Sequence, residues 1–188
     1  MEMKPEPDQA GSADSVPVAV VMGVAGCGKS VVGAALAEAL GCRFIEGDRL
    51  HPPENVARMA GGQPLTDAHR AGWLDAVGAQ LSEAARAGSG GVAACSALKR
   101  AYRDRLRRFC PGMVFIHLAI DRETARQRVG RRKGHFMPTT LVESQFADLE
   151  PPAGDEAALS LDGTRPVAEL VAAAAKFLKP ATAKTGKI

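Results

Sequence analysis

No stretch of this chain approaches the roughly 18 consecutive apolar residues that a bilayer-crossing helix needs, which excludes a membrane-spanning segment. The opening residues, MEMKPEPDQAGSADS, carry no basic flank followed by an apolar run, so no secretory leader is expected. Cysteine is sparse: Cys27, Cys42, Cys95 and Cys110 are scattered, no two form a C-x-x-C pair, and no histidine stands at zinc-finger spacing. That pattern argues for reduced thiols and against a metal cage. Aromatic residues make up only 4% of the chain, with Trp73 and Tyr102 the sole members of their kinds. Both are expected to pack between helices rather than to serve as sugar platforms. The net charge of +3 is too small for a surface coated in phosphate-binding side chains.

The distribution of charge is more informative than its sum. Between Lys99 and Lys133 stand twelve Lys or Arg against three acids (Asp104, Asp121 and Glu123), so the rest of the chain is net acidic. A basic segment inside an acidic body suits a compact polyanion better than a long nucleic acid, which usually demands a wider stripe. For any single arginine the alternative is a solvated helical face.

With 46% hydrophobic and 24% charged residues over a length of 188, one folded domain is expected. Residues 1–16, rich in Pro, Glu, Asp, Gly and Ser, read as a disordered leader, and 180–188 as a flexible tail, which leaves 17–179 as the domain. Short apolar runs at 16–22, 42–45, 92–95, 113–120 and 158–161 have the character of strands. Helical patterns at 29–40, 51–59, 67–87, 99–109, 122–129, 139–149 and 167–178 alternate with them. The fold class is therefore α/β, a parallel sheet covered on both faces, with ligands at the carboxyl ends of the strands.

Gly23-Val-Ala-Gly-Cys-Gly-Lys-Ser30 matches G-x-x-x-x-G-K-[ST] at every fixed position, after a buried strand and at the opening of a helix. Glycines let the backbone curl so that its N–H groups face phosphate oxygens, and the helix N-terminus adds positive potential. Lys29 can reach the β- and γ-phosphates, and the Ser30 hydroxyl can ligate Mg²⁺. Cys27, inside the loop at a helix N-terminus, is expected to be reactive, so that its alkylation inactivates and MgATP protects. The motif defines a nucleoside-triphosphate site without defining the reaction. A guanine-reading N-K-x-D is absent, since the single asparagine, Asn55, is followed by Val-Ala-Arg, and no hydrophobic strand ends in Asp-Glu as in helicases and transport ATPases. A small phosphotransferase remains, with an acid after the second strand and an Arg-rich lid. Glu46 and Asp48, two apart at the end of an extended segment, are expected to project together toward the γ-phosphate, one as base and one toward the metal.

Gly23–Ser30, Glu46-Gly-Asp-Arg-Leu-His-Pro52, Pro64-Leu-Thr-Asp-Ala-His-Arg-Ala-Gly-Trp-Leu74, Cys95-Ser-Ala-Leu-Lys-Arg-Ala-Tyr-Arg-Asp104 and Arg132-Lys-Gly-His-Phe136 resemble, in order, the motifs of the gluconokinase family. These are small P-loop kinases related to shikimate and nucleoside-monophosphate kinases, and the match runs from about Val18 to Leu178. The resemblance implies a five-stranded parallel sheet, helices on both faces and a mobile Arg-rich lid at about 128–140. It further implies ATP-dependent phosphorylation of D-gluconate at the 6-hydroxyl, with Mg²⁺, in a cytoplasmic homodimer with no nucleic-acid or membrane partner. By the resemblance Asp48 orients and deprotonates the alcohol, while Arg70, Lys99 and Arg103, with His51, are candidates for the carboxylate and hydroxyls. Arg70 has the alternative of supporting a helix; Arg100, Arg105 and Arg107 read as solvated surface. Arg128, Arg132 and His135 fall in the lid, where an arginine stabilises charge on the transferring oxygens. Gly23, Val24, Ala25, Gly26, Cys27, Gly28, Lys29 and Ser30 hold the phosphates, and Arg165, in Asp162-Gly-Thr-Arg-Pro166, falls near adenine. Ser30 and Glu46 are the metal candidates, Glu46 standing where relatives often have Asp. The alternatives are a related kinase acting on another small hydroxy acid such as shikimate, and a nucleotide-binding regulator with little turnover.

Overall fold

The computed structural model describes residues 17–131 and 139–179. The expected leader, the expected tail and the stretch 132–138, which carries Arg132 and His135, lie outside the described residues. The chain runs β1 (Val18–Met22), α1 (Lys29–Leu40), β2 (Arg43–Glu46), a 3₁₀ turn (Gly47–Leu50), α2 (Pro53–Ala60), α3 (Asp67–Arg86) and β3 (Gly91–Ala94). It continues through α4 (Arg100–Arg107), β4 (Val114–Ala119), α5 (Arg122–Gly130), α6 (Thr139–Asp148), β5 (Ala158–Asp162) and α7 (Val167–Leu178). The five strands form one sheet in the order β2-β3-β1-β4-β5, every pair parallel.

The continuous apolar run of β1 follows from its central position. Successive side chains of a strand point to opposite faces, and Ala19 and Val21 enter one core while Val20 and Met22 enter the other. The first core is closed by α1, α5, α6 and α7, through Leu36, Ala125, Val142 and Leu170 among others. The second is closed by α3 and α4, through Trp73, Leu74, Val77 and Leu106. β1 lies between β3 and β4, where the strand order reverses, so the crevice at its carboxyl end is the ligand position of an open α/β sheet. The helix starts are set locally: Thr66 Oγ1 accepts from His69 N at α3, and Asp121 Oδ1 accepts from Thr124 N at 2.7 Å at α5.

Among the described residues, most cations of the basic segment are paired with acids. Arg100 pairs with Asp155, Arg105 with Asp75, Arg107 with Asp104 and Glu156, and Arg122 and Arg126 both with Glu143. The acidic body and the basic segment are stitched to each other: Arg100 and Arg105 lie at the surface as expected, each in an ion pair, and Arg107 is the more covered of the three.

Arg103 is the buried member of this set. It is fully inaccessible, and its Nε and Nη2 each bond a Glu156 carboxylate oxygen at 2.7 Å. Its Nη1 donates to the carbonyls of Ala97, Leu98 and Glu150. The guanidinium beside Glu156 holds that carboxyl down at about 2. Removing one partner of a buried pair leaves an uncompensated charge and costs about 3–5 kcal/mol. Glu156→Ala is therefore expected to lower the melting temperature by roughly 6–20 °C for a domain of this size, and Glu156→Gln by less. Thermal unfolding followed by circular dichroism checks this; an unchanged midpoint in Glu156→Ala would contradict it.

Candidate active site

β1 delivers the chain into residues 23–30, where the backbone takes positive φ at Gly23, Gly26 and Gly28 (138°, 81° and 100°). A Cβ at Gly23 would sit 2.8 Å from the Leu118 carbonyl oxygen, and one at Gly26 would sit 3.0 Å from that of Ala125. Only glycine permits this path at both positions. Gly28 is the N-cap of α1, so the first amides of that helix are open to an anion. Gly23 N–H is bonded to Ser96 O, which fastens the loop to the chain leaving β3. Lys29 Nζ donates to Val24 O at 3.1 Å.

Two cavities meet across this loop. The first, of about 390 Å³, is lined by Gly26, Lys29 and Ser30, by Asp48 and His51, and by Arg70. Ser96, Ser144 and Gln145 add polar groups, while Val56, Met59 and Leu65 form an apolar wall. The second, of about 360 Å³, lies on the other side of Gly26–Gly28 and is lined by Val31, Arg128, Gly163 and Arg165. Arg128 reaches it from α5, donating to Gly163 O at 3.0 Å and Gly26 O at 3.4 Å. Arg128 and Arg165 thus line the second cavity, and Asp48 lines the first.

Asp48 does not continue an extended strand beside Glu46. β2 stops at Glu46, and the 3₁₀ turn carries Asp48 into the first cavity, whereas Glu46 is not among its lining residues. The turn is held by the single tryptophan: Trp73 Nε1 donates to Gly47 O at 2.7 Å. Gly47 is required there, because a Cβ would run into the Ala94 carbonyl oxygen. The same indole ring stacks on His51, centroids 4.1 Å apart and planes within 15°. Trp73 is the buried helix-packing residue the sequence suggests, and its N–H and ring face also position two cavity residues. A buried indole N–H needs an acceptor, and this requirement was the available signal.

Burial pushes the His51 imidazole down to about 4, with Arg70 adding to the effect and Asp48 opposing it. At neutral pH His51 is therefore an uncharged hydrogen-bonding group.

Arg70 is buried on α3 and faces the cavity, held by long bonds to Leu65 O (3.3 Å) and Asp148 Oδ2 (3.4 Å). Lys99 stands beside it, bonded to Asp67 at 2.8 Å and to Asp148 at 3.4 Å. The Tyr102 ring lies under both cations, 5.7 Å from the Arg70 guanidinium carbon and 5.6 Å from Lys99 Nζ, and its hydroxyl donates to Asp67. Arg103 does not join this group. Its guanidinium is turned away into the Glu156 pair, and what it grips is the loop between β3 and α4, where Ala97 holds a φ of +41°. The expectation that Arg103 touches the acceptor is corrected on that ground.

Cys27 is likewise not where reactivity requires. Its side chain is 1% exposed and points into the core beneath the loop, together with Val24. Two residues without a motif complete the site: Gln145 Oε1 accepts from Ala25 N at 2.6 Å, and Asp148 links Arg70 to Lys99. Their signal in sequence was only helical spacing.

A parallel sheet in this order, with a phosphate loop after its central strand and an acid-bearing cavity beside it, is the architecture of a P-loop phosphotransferase. Residues 18–152 match the family described as an AAA domain. The chain is 49% identical over 146 residues to the gluconokinase of Gluconobacter oxydans (strain 621H), covering 78% of this chain and 82% of that one. It is 39% identical over 161 residues to the thermoresistant gluconokinase of Escherichia coli (strain K12), covering 85% and 92%. The crystal structure of a gluconokinase from Sinorhizobium meliloti 1021 matches with a TM-score of 0.78 at 45% identity, over 87% of this chain and 92% of that one. The chain belongs to the gluconokinase family.

Two outcomes follow from this geometry. Under native conditions iodoacetamide is expected to leave Cys27 unmodified and to reach the partly exposed Cys42 first; peptide mapping that finds Cys27 alkylated fastest would contradict the buried placement. Unfolded, a histidine takes up its proton near 6.5, but folded His51 does so only near 4. The folded state therefore binds fewer protons across that window, and stability falls as pH drops through it. The fall is expected to be shallower in His51→Gln, measured as melting temperature against pH; equal slopes would contradict it.

Proposed function

We infer that the chain transfers the γ-phosphoryl group of ATP to the 6-hydroxyl of D-gluconate, giving 6-phospho-D-gluconate. The observation that carries this reading is the composition of the first cavity. A carboxylate (Asp48), a neutral imidazole (His51), hydroxyls (Ser96 and Ser144) and a guanidinium (Arg70) line one space beside Lys29 and Ser30. Gluconate presents an alcohol, a chain of hydroxyls and a carboxylate, which need a base, uncharged hydrogen-bonding groups and a cation respectively. The named relatives support the same substrate.

In this reading Asp48 accepts the proton of the attacking hydroxyl as its oxygen bonds to the γ-phosphorus and the bond to the bridging β-γ oxygen breaks, releasing ADP. Arg70 holds the acceptor carboxylate, a role suited to its two parallel donors, with Lys99 beside it. Lys29 and the amides of the phosphate loop neutralise charge on the β- and γ-phosphates. Arg128 and Arg165 face the cavity in which the base would lie. The resemblance assigns Arg132 and His135 to charge stabilisation and acceptor contact from outside the described residues.

Among the described residues no group of three or more His, Cys, Asp or Glu forms a metal cage. That suits Mg²⁺, which keeps several waters and takes one or two protein ligands plus substrate phosphates. Ser30 lines the cavity and is the residue that would hold it, directly or through water, whereas Glu46 is not among the lining residues. Bound with the nucleotide, Mg²⁺ supplies charge neutralisation on the phosphates. The family likeness also supports a homodimer working in the cytoplasm; no described helix is long and apolar enough to cross a membrane.

An ATP-consumption assay over D-gluconate, shikimate, other sugar acids, neutral sugars and nucleoside monophosphates tests the acceptor, with the product position read by NMR. Turnover is expected on gluconate with phosphate on the terminal carbon. Turnover on another acid alone would overturn the acceptor, and ATP binding without turnover would favour a regulator. Lys29→Ala and Asp48→Asn are each expected to lower kcat at least about a hundredfold, as general bases contribute roughly 10²–10⁴. Asp48→Asn should leave ATP affinity nearly unchanged; a matching loss of ATP affinity would move Asp48 to the metal.

A further inference from the structure

α6 carries Leu141, Ser144, Gln145 and Asp148 at positions i, i+3, i+4 and i+7, one face of a helix, and the first three line the first cavity. The two polar residues toward the end of this stripe engage different halves of the site. Gln145 Oε1 takes the amide of Ala25 in the phosphate loop at 2.6 Å, across 120 residues of sequence. Asp148, on the next turn, bonds Arg70 and Lys99, each at 3.4 Å. The opposite side of α6 is fixed as well, because Glu143 pairs with Arg122 and Arg126 of α5, at 2.9 and 2.7 Å. α6 is therefore bonded to the phosphate loop, to Arg70, which faces the cavity, and Lys99 beside it, and to the helix that carries Arg128.

Gln145 is nine-tenths buried, and a backbone N–H buried there needs an acceptor. An amide oxygen meets that need without placing a full negative charge beside the transferring phosphate, which a glutamate would do. Asp148 provides the charge that Arg70 and Lys99 require, at a distance from the loop.

We propose that α6 couples the two substrates: through Gln145 and Asp148, acting as positioning residues, nucleotide on the phosphate loop raises the affinity of the acid held at Arg70 and Lys99. This rests on the reading of D-gluconate as acceptor. Coupling is a free energy shared by both ligands, so each must raise the other's affinity by the same factor.

Calorimetric titration of the full chain with D-gluconate, alone and with a non-hydrolysable ATP analogue and Mg²⁺, measures that factor. The unsubstituted protein is expected to show a ratio of gluconate dissociation constants of about five or more, within the usual range for coupled sites. The reverse titration should give the same ratio. Gln145→Met, similar in length but without a strong acceptor, is expected to bring the ratio to within about twofold of one. Gln145→Glu, which keeps an oxygen toward Ala25 N–H, should preserve the ratio while weakening the nucleotide. Asp148→Asn should lower the ratio while leaving nucleotide affinity alone unchanged, and circular dichroism verifies that each variant is folded. A ratio of one in the unsubstituted protein, or an unaltered ratio in folded Gln145→Met and Asp148→Asn, would overturn the coupling. Failure of the unsubstituted protein to bind gluconate at all would overturn the acceptor assignment and the coupling with it.

Discussion

A Cβ at Gly23 would stand 2.8 Å from the Leu118 carbonyl oxygen, and the rest of the site depends on the absence of that atom. β1 is buried on both faces, so its carboxyl end can turn toward ligand only by passing close to the end of β4. Glycine allows that passage and the following left-handed turns. The turn places Lys29 and Ser30 at the start of α1 and separates two cavities. Gly23 N–H in turn engages Ser96 O, so the loop that follows β3, with Ser96 in the cavity wall, is set by the same close approach.

Charge is organised around this frame in pairs. Most cations of the basic segment are consumed by acids from distant elements: Arg103 by Glu156, Arg105 by Asp75, Arg122 and Arg126 by Glu143. Arg70 differs in that its acid partner, Asp148, is 3.4 Å away and its side chain faces a cavity, while Lys99 beside it is held at 2.8 Å by Asp67. A bound carboxylate can compete for such a loosely held guanidinium more easily than for the 2.7 Å Arg103–Glu156 pair. In the proposed reading, selectivity for an acid arises from which arginine is left loosely paired, and net charge alone says little about it.

The phosphate loop was legible in the sequence because its chemistry is carried by backbone, and glycine spacing reports backbone directly. The helices 29–40 and 167–178 were legible for a similar reason, each having apolar periodicity and a glycine or proline stop. The Asp48 turn was not: extended geometry for Glu46–Asp48 is the local expectation, and the structure is decided by an indole N–H on α3, 26 residues away. Arg70 and Arg103 read alike as motif arginines, and only Glu156, far along the chain, separates a cavity residue from a buried support. Cys27 followed the same pattern, since position in the loop suggested exposure and the core beneath it took the side chain. Gln145 and Asp148 matched no motif, although their spacing with Leu141 and Ser144 already placed the four on one helical face.

A crystal structure of the full chain with a non-hydrolysable ATP analogue, Mg²⁺ and D-gluconate tests the central claim, that one cavity reads both ends of a polyol acid. The account predicts the gluconate carboxylate on Arg70, with Lys99 near it, and the terminal hydroxyl on Asp48 facing the γ-phosphate. Gluconate bound in the reverse direction, or held by residues other than Asp48 and Arg70, would contradict it.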